Sequence, residues 1–543
     1  MASGGAGDGM VVAPQPEAAE AGVAVLAAGG NAVDAAVAAA LVQGVVDPLQ
    51  CGLGGFGSMA IRDGRTGLVS YLDFHARAPL AATPDMWASA IVGESEDGFG
   101  FILEGQVNEL GYGSVCVPSA PRALHTAHRE AGALPWREVL APAIDWAERG
   151  WPVRPGVAMQ FAMPSYSGHA STLERLALTP AGRALYVRPN GRAHRMGTVI
   201  RNPDLAAVLR SLATDGVESF YTGEIAHAMV ADFEAHGGLV SLDDLRGCEP
   251  RWEAPVWGTY RGLRVATNQA PGGGPMLLEM LAILERFDLA AMGHNSVDYV
   301  RTVVEVMKQA TVDKDRHLGD PAFVEVPIDE LLSDRYADEV AARIARGDKV
   351  TVPRLGADLE SRNTTQLCVV DGDGSCVSLT HTLGFPSGVV TDGLGFMYNG
   401  AMASFDPRPG WTHSIAPGKA RFSSIMPTIV LDGASPRFVL GGVGATQIAM
   451  GVVQVILNLV DFGRTITEAV VEPRFCATSD VVEVVNRIPH STTDALEREG
   501  YDVRRWPMSY GVAWVHGITI GPDGAISGAA DPASDGVALS VRP

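Results

Sequence analysis

The sequence predicts an α/β protein whose sheets are lined with helices, and three observations predict it. Helical apolar periodicity dominates residues 17–345; the texture turns strand-rich at 364; and glycine-dense turns at 51–57, 271–274 and 371–374 separate the elements. Sheets and helices mixed in this way imply packed layers. With 543 residues, 47% of them hydrophobic, the chain can bury a large core, as two or three units or one large composite domain.

The elements follow in order. Residues 17–28 read as a helix: Pro16 suits its start, Glu17 and Glu20 its positive end, and Gly29-Gly30 stop it. Asn31 then caps a second helix, AVDAAVAAALVQG, whose alanines permit close packing. After the loop CGLGGFG come strands at 58–62 and 67–73, joined by an Asp63-Gly64 turn. Helices are predicted at 119–131, 136–149, 201–211 and 221–236, then a strand near 253–267 and helices at 275–286, 296–312 and 337–345. A basic and polar linker fills 346–363. Strands at 364–370 and 375–382 flank the tight turn DGDG, and two more lie near 426–431 and 436–440. Helices at 447–463 and 466–474 and strands at 511–520 and 525–528 complete the chain.

Bulk properties exclude some functions. A formal net charge of -21 with no basic run argues against a nucleic-acid partner, because phosphate contacts need Lys and Arg. The richest apolar stretch, 32–46, is too short for a membrane span and is interrupted by Asp34 and Gln43. The start, MASGGAGDGM, lacks the basic-then-apolar pattern of a signal peptide, so the expected location is cytoplasmic. Six cysteines show no metal-type spacing; Cys368 and Cys376 read as two small buried side chains or as neighbours across a hairpin.

Spacing alone singles out no catalytic centre. HExxH, CxxC, GxSxG and a Walker loop are all absent, and Gly52-Leu53-Gly54-Gly55 lacks the strand–loop–helix setting of a dinucleotide site. Thr364 by itself reads as a β-branched residue opening a strand.

Many ordered motifs together change that reading. PEAAEAG, GGNAVDAAVAAALVQGVVDP, a GLGG loop and LDFHARAP lie in the N-terminal part. VPSAP, LPWREVLAPAIDWAERGWPV, APGGGP and RHLGDP follow, then NTTQLCVVDGDGSCVSLTHTLG, FSSIMPTIV and GAADPASDG. From about residue 9 to 540 the chain resembles the gamma-glutamyltranspeptidase family of N-terminal-nucleophile (Ntn) hydrolases. The resemblance implies a four-layer αββα fold, two stacked, mainly antiparallel sheets flanked by helices. It also implies a precursor that cuts its own Asn363-Thr364 bond into a heavy piece, 1–363, and a light piece, 364–543, which remain one composite domain. Thr364 then serves as nucleophile, and its freed α-amine, with a reference pKa of about 8, as base. Neither cofactor nor metal is implied. The expected partners are a small-molecule amide and the chain's own two pieces, with a homodimer of processed pairs as a further expectation.

By the same resemblance, Thr382 matches the threonine that contacts the nucleophile, though it is also an ordinary strand-former. Ser423 and Ser424 match the serines that hold the substrate carboxylate, and otherwise read as a polar turn. Gly444 and Ala445 match the Gly-Gly of the oxyanion hole, and otherwise an ordinary glycine loop; an alanine still offers its N–H. Three recognition features depart from the family pattern. The arginine that clamps the α-carboxylate falls on His75; Arg77, which in a strand shares that face, can substitute for it only with a shift in substrate. The glutamine and aspartate that grip the α-amine fall on Ala401 and Ser404, and the asparagine beyond the second threonine on Gly384. Each lost charged contact costs about 1.5–3 kcal/mol, which points to an altered, non-glutamyl acyl group. The segment 406–418 is short beside lidded relatives, so His75, Arg77, Trp411 and His413 are expected to line a more open pocket. A gamma-glutamyl hydrolase with a rebuilt clamp and an uncleaved, non-enzymatic scaffold are the competing readings.

Overall fold

Two seven-stranded sheets face one another in the structure, a computed structural model that describes residues 3–4, 9–94, 100–165, 168–353 and 364–541. Their strands, in chain order, are β1 (Met10–Ala13), β2 (Phe56–Arg62), β3 (Val69–Phe74), β4 (Arg251–Glu253), β5 (Val256–Tyr260), β6 (Leu263–Thr267) and β7 (Thr365–Val370). Then come β8 (Cys376–Thr382), β9 (Thr428–Asp432), β10 (Ser435–Val443), β11 (Trp514–Ile520), β12 (Ile526–Ala529) and β13 (Val537–Ser540). The first sheet has the order β13-β1-β7-β8-β2-β3-β4, and every pair is antiparallel. The second runs β12-β11-β10-β9-β6-β5, with the two-residue strand Ser3–Gly4 beside β12.

Helices cover both outer faces. α1 (Pro16–Ala27) and α2 (Ala32–Val46), with the helices between 120 and 246, pack on the first sheet. α3 (Gly274–Leu284), α4 (Val297–His317) and α5 (Ile448–Val460) pack on the second. Between the sheets Met10, Val12, Tyr71 and Val370 meet Ile429, Leu431, Val439 and Ile518. The layers are therefore αββα, the Ntn-hydrolase architecture.

Local chemistry explains the element that matters most to the site. Asn31 accepts from the Val33 and Asp34 N–H groups while Asp34 accepts from Asn31 N–H, a closed capping box. Every residue of α2 except Gly44 is buried, so this helix is covered on all sides. A polar residue on such a helix must find a partner inside the protein, and Gln43 finds its partners behind β7.

The predicted strand at 253–267 is three strands. Its first residues join the edge of the first sheet as β4; β5 and β6 form a hairpin at the edge of the second. Arg261 and Gly262 both have positive φ (48° and 81°), which suits a two-residue hairpin turn, and Arg261 donates to Asp461 and to the Glu285 and Phe287 carbonyls. β1 and β13, four residues each, escaped the sequence reading because runs so short carry little periodicity. Cys368 lies opposite Ser378 and Cys376 opposite Val370, so the two thiols are diagonal neighbours. Both are buried and unbridged, and burial pushes each up to about 12.

Candidate active site

The β7–β8 hairpin brings the two threonines together. Asp371 Oδ1 accepts from the Asp373 and Ser375 N–H groups and holds the turn, while Thr365 pairs with His381. Thr364, one residue before β7, therefore meets Thr382 at the end of β8, and their hydroxyl oxygens are 3.1 Å apart. Gly384 N–H donates to Thr382 Oγ1 at 2.8 Å, which favours Thr382 as donor to Thr364. Both threonines are buried. Asn363 and the Asn363-Thr364 bond lie outside the described residues.

A polar network supports this pair from behind. Thr364 N–H donates to Gln50 Oε1 at 2.7 Å, and the Gln50 carbonyl accepts from Leu383 N–H at 3.0 Å. One glutamine thus spans both strand ends. Thr365 Oγ1 accepts from Gln15 and Gln43, and His381 Nε2 lies 2.8 Å from Gln43 Oε1. Burial pulls His381 down to about 3, so its ring is neutral and donates through Nε2.

The other expected residues come from separate segments. Ser423 N–H donates to the Pro271 carbonyl at 2.9 Å, so the PGGG turn backs the serine pair. Ser424 Oγ is buried and takes no hydrogen bond from a described group. Gly444 and Ala445 leave β10 with positive φ (142° and 47°); a Cβ at 444 would come within 3.0 Å of Ala513. Ala445 holds a left-handed conformation that glycine adopts without cost.

Beside these segments lies a cavity of about 730 Å³. Ser404, Phe422 and Thr446 reach it from the three segments that carry Ala401, Ser423 and Ala445, and Phe101, Trp411 and His413 add aromatic surface. His413 stacks on Phe422 with 5.4 Å between centroids. Burial first, then Lys314, lowers His413 to about 4, so at neutral pH it is an uncharged wall.

His75 and Arg77 do not line this cavity, contrary to the expectation that they would. His75 Nδ1 is bound to Asp73, and Arg77 donates to Asp320 and to the Gly418 carbonyl. Burial alone would raise Asp73, but the His75 ring and Arg77 hold it below its usual range. Arg77 is therefore committed to carboxylates on its own side of the protein. Ala401 is fully buried in a short 3-10 turn, and Ser404 Oγ takes no hydrogen bond from a described group.

Sequence reading missed Arg421 and Gln50. Arg421 N–H donates to the Ala76 carbonyl at 3.1 Å, placing this arginine beside position 75. Its guanidinium lies 5.2 Å from the Phe56 ring centre, and a Cβ on Gly384 would meet Nη1 at 3.0 Å. Glycine at 384 makes room for that cation. Burial lowers Arg421 to about 10, which leaves it charged at neutral pH. The signals were an arginine two residues before the serine pair and a glutamine opening a glycine loop.

A buried hydroxyl at a strand end, paired with a second hydroxyl inside an αββα sandwich, defines an Ntn-type amide hydrolase. The gamma-glutamyltranspeptidase family profile matches residues 18–541. An acylase ACY 1 proenzyme of Pseudomonas sp. (strain V22) is 35% identical over 98% of this chain and 93% of its own length. The glutathione hydrolase proenzyme of Escherichia coli (strain K12) is 31% identical over 97% and 90%. The crystal structure of a cephalosporin acylase from Bacillus halodurans superposes with a TM-score of 0.86 at 30% identity, covering 99% of this chain and 97% of that one. The chain belongs to the gamma-glutamyltranspeptidase family.

Among the described residues no helix is long and apolar enough to cross a membrane, and no cluster of three His, Cys, Asp or Glu side chains is placed to hold a metal ion.

Proposed function

We propose that the chain cuts itself between Asn363 and Thr364 and then hydrolyses an amide through an acyl-Thr364 intermediate, with an acyl group other than gamma-glutamyl. The 3.1 Å contact between the Thr364 and Thr382 hydroxyls carries this reading. In the processed enzyme the α-amine of Thr364 takes the hydroxyl proton, Gln50 Oε1 orients that amine, and Thr382 steadies the oxygen as it attacks. The Gly444 and Ala445 N–H groups meet the developing oxyanion, and Ser423 and Ser424 hold the polar end of the acyl group.

The acyl preference follows from what surrounds the cavity. Ser404 lines the cavity and offers no charge for an α-amine; Ala401, in the same turn, offers no side-chain hydrogen bond, and Arg421, next to the cavity-lining Phe422, supplies a cation near the position that His75 fills. An acyl group bearing a carboxylate but no α-amine suits these residues, and the 730 Å³ cavity leaves room for bulk. We place the enzyme in the cytoplasm, a reading supported by the unbridged thiols of Cys51, Cys116, Cys248, Cys368 and Cys376.

Intact mass of the wild type beside Thr364→Ala tests the first part. Two pieces that divide after residue 363 in the wild type, and one chain in the variant, are expected. A single chain in both would favour a non-enzymatic scaffold. Turnover of gamma-glutamyl anilide above that of glutaryl anilide would favour the rebuilt glutamyl clamp.

A further inference from the structure

Self-cleavage makes a demand that the mature mechanism does not meet. Before the cut the Thr364 nitrogen is an amide and cannot act as base, so another group must take the hydroxyl proton. Behind Thr364 a cavity of about 20 Å³ is lined by that residue together with Gln15, Asp47, Gln50, Gln160 and Asp535. Such a volume holds one water. Asp47 Oδ1 and Gln160 Oε1 are both buried, and neither takes a hydrogen bond from a described protein group. Buried acceptors in native proteins are satisfied, and a water has two hydrogens for two acceptors. Asp47 is held in place: its Oδ2 accepts from Gln15 Nε2 at 2.8 Å, and the same nitrogen lies 3.3 Å from Thr365 Oγ1.

Resting on the self-cleavage reading above, we propose that a water bound by Asp47 Oδ1 and Gln160 Oε1 carries the Thr364 hydroxyl proton to Asp47, the base of self-cleavage. The water takes the proton from Oγ1 as it gives one to the carboxylate. Oγ1 bonds to the carbonyl carbon of Asn363, the C–N bond breaks, and the proton returns through the water to the Thr364 nitrogen. This leaves an ester and a free amine. A second water then hydrolyses the ester, adding its hydroxyl to the Asn363 carboxyl and a hydrogen to Oγ1.

Asp47 is tuned for this task. Burial raises it to about 6; Arg154 and the Gln15 hydrogen bond oppose that rise, and Asp535 and Glu17 add to it. Cys51, the other ionisable neighbour, is kept neutral by burial. A base with this pKa is mostly ionised at pH 7 yet still accepts a proton.

The test follows the two fragments by intact mass after cell-free synthesis of the full chain, between pH 5 and 8. Below about pH 6 the wild-type rate should fall tenfold per pH unit. Asp47→Asn should slow cleavage about a hundredfold or more and abolish the break. Gln160→Leu should slow it about tenfold and keep the break where it was. Should Asp47→Asn not fold, a crystal structure of the Thr364→Ala precursor decides: a water on both acceptors is expected, and a dry cavity overturns the proposal. A cleaved wild type with an unimpaired Asp47→Asn overturns this inference alone; an uncleaved wild type overturns the self-cleavage reading with it.

Discussion

Behind Thr364, polar groups are locked to one another: Gln15, Gln43, Gln50 and His381 hold both strand ends through buried hydrogen bonds, and Gln15 and Gln50 also line a space of about 20 Å³. The second region, the front, is the cavity of about 730 Å³, walled by aromatic side chains and by Ser404, whose short turn also carries Ala401. The rear is a rigid mount for one oxygen and one nitrogen. The front is, in the function proposed above, the surface that sets acyl preference. A nucleophile tolerates little displacement, whereas recognition can be changed one contact at a time.

The sharpest break of that contrast is at the nucleophile. Thr364→Ala should leave one intact chain and lower turnover by at least about a thousandfold, read by mass and by release of an anilide. Thr382→Val removes the neighbouring hydroxyl while keeping the shape of the side chain. It should cut kcat by about a hundredfold for every acyl group alike, since it acts on the shared oxygen. Changes at the front should instead discriminate between substrates. Arg421→Gln should lower kcat/KM on glutaryl anilide by about ten- to a hundredfold, the equivalent of 1.5–3 kcal/mol, and leave butyryl anilide nearly untouched. Equal losses on both substrates would place Arg421 in the rigid mount. The double change Ala401→Gln with Ser404→Asp should raise gamma-glutamyl turnover about tenfold. The smallest effect belongs to Ala445→Gly, which relieves a left-handed backbone at φ 47° and should raise the melting temperature by about 1–2 °C.

Legibility in the sequence follows the same division. The β7–β8 hairpin was readable because a tight turn sets its register and alternation marks its strands, whereas the αββα layers and the facing threonines came from the family resemblance and not from spacing. The interior of α2 was readable from its alanines and its Asn31 cap. Arg421 was not, because its importance depends on Gly384 lacking a side chain and on Ala76 lying next to it, both long-range facts. The expected place of Arg77 failed for a similar reason: β3 ends at Phe74, so Arg77 lies beyond the strand whose face it was expected to share, and Asp320, which captures the guanidinium, arrives from 243 residues away. Asp47 and Gln160 look like ordinary loop and helix residues until the fold closes a cavity between them.

The strand order of the first sheet has a consequence for the life of the molecule. Assigned to the two proposed pieces, 1–363 and 364–543, the order β13-β1-β7-β8-β2-β3-β4 reads light, heavy, light, light, heavy, heavy, heavy. The pieces are woven together, so neither owns a complete sheet that could fold first and wait for the other. With the cut before Thr364 proposed above, assembly has to be finished while the chain is still continuous. Mixing two intact processed enzymes should not exchange their pieces on any timescale shorter than global unfolding, and each pair should melt in one transition.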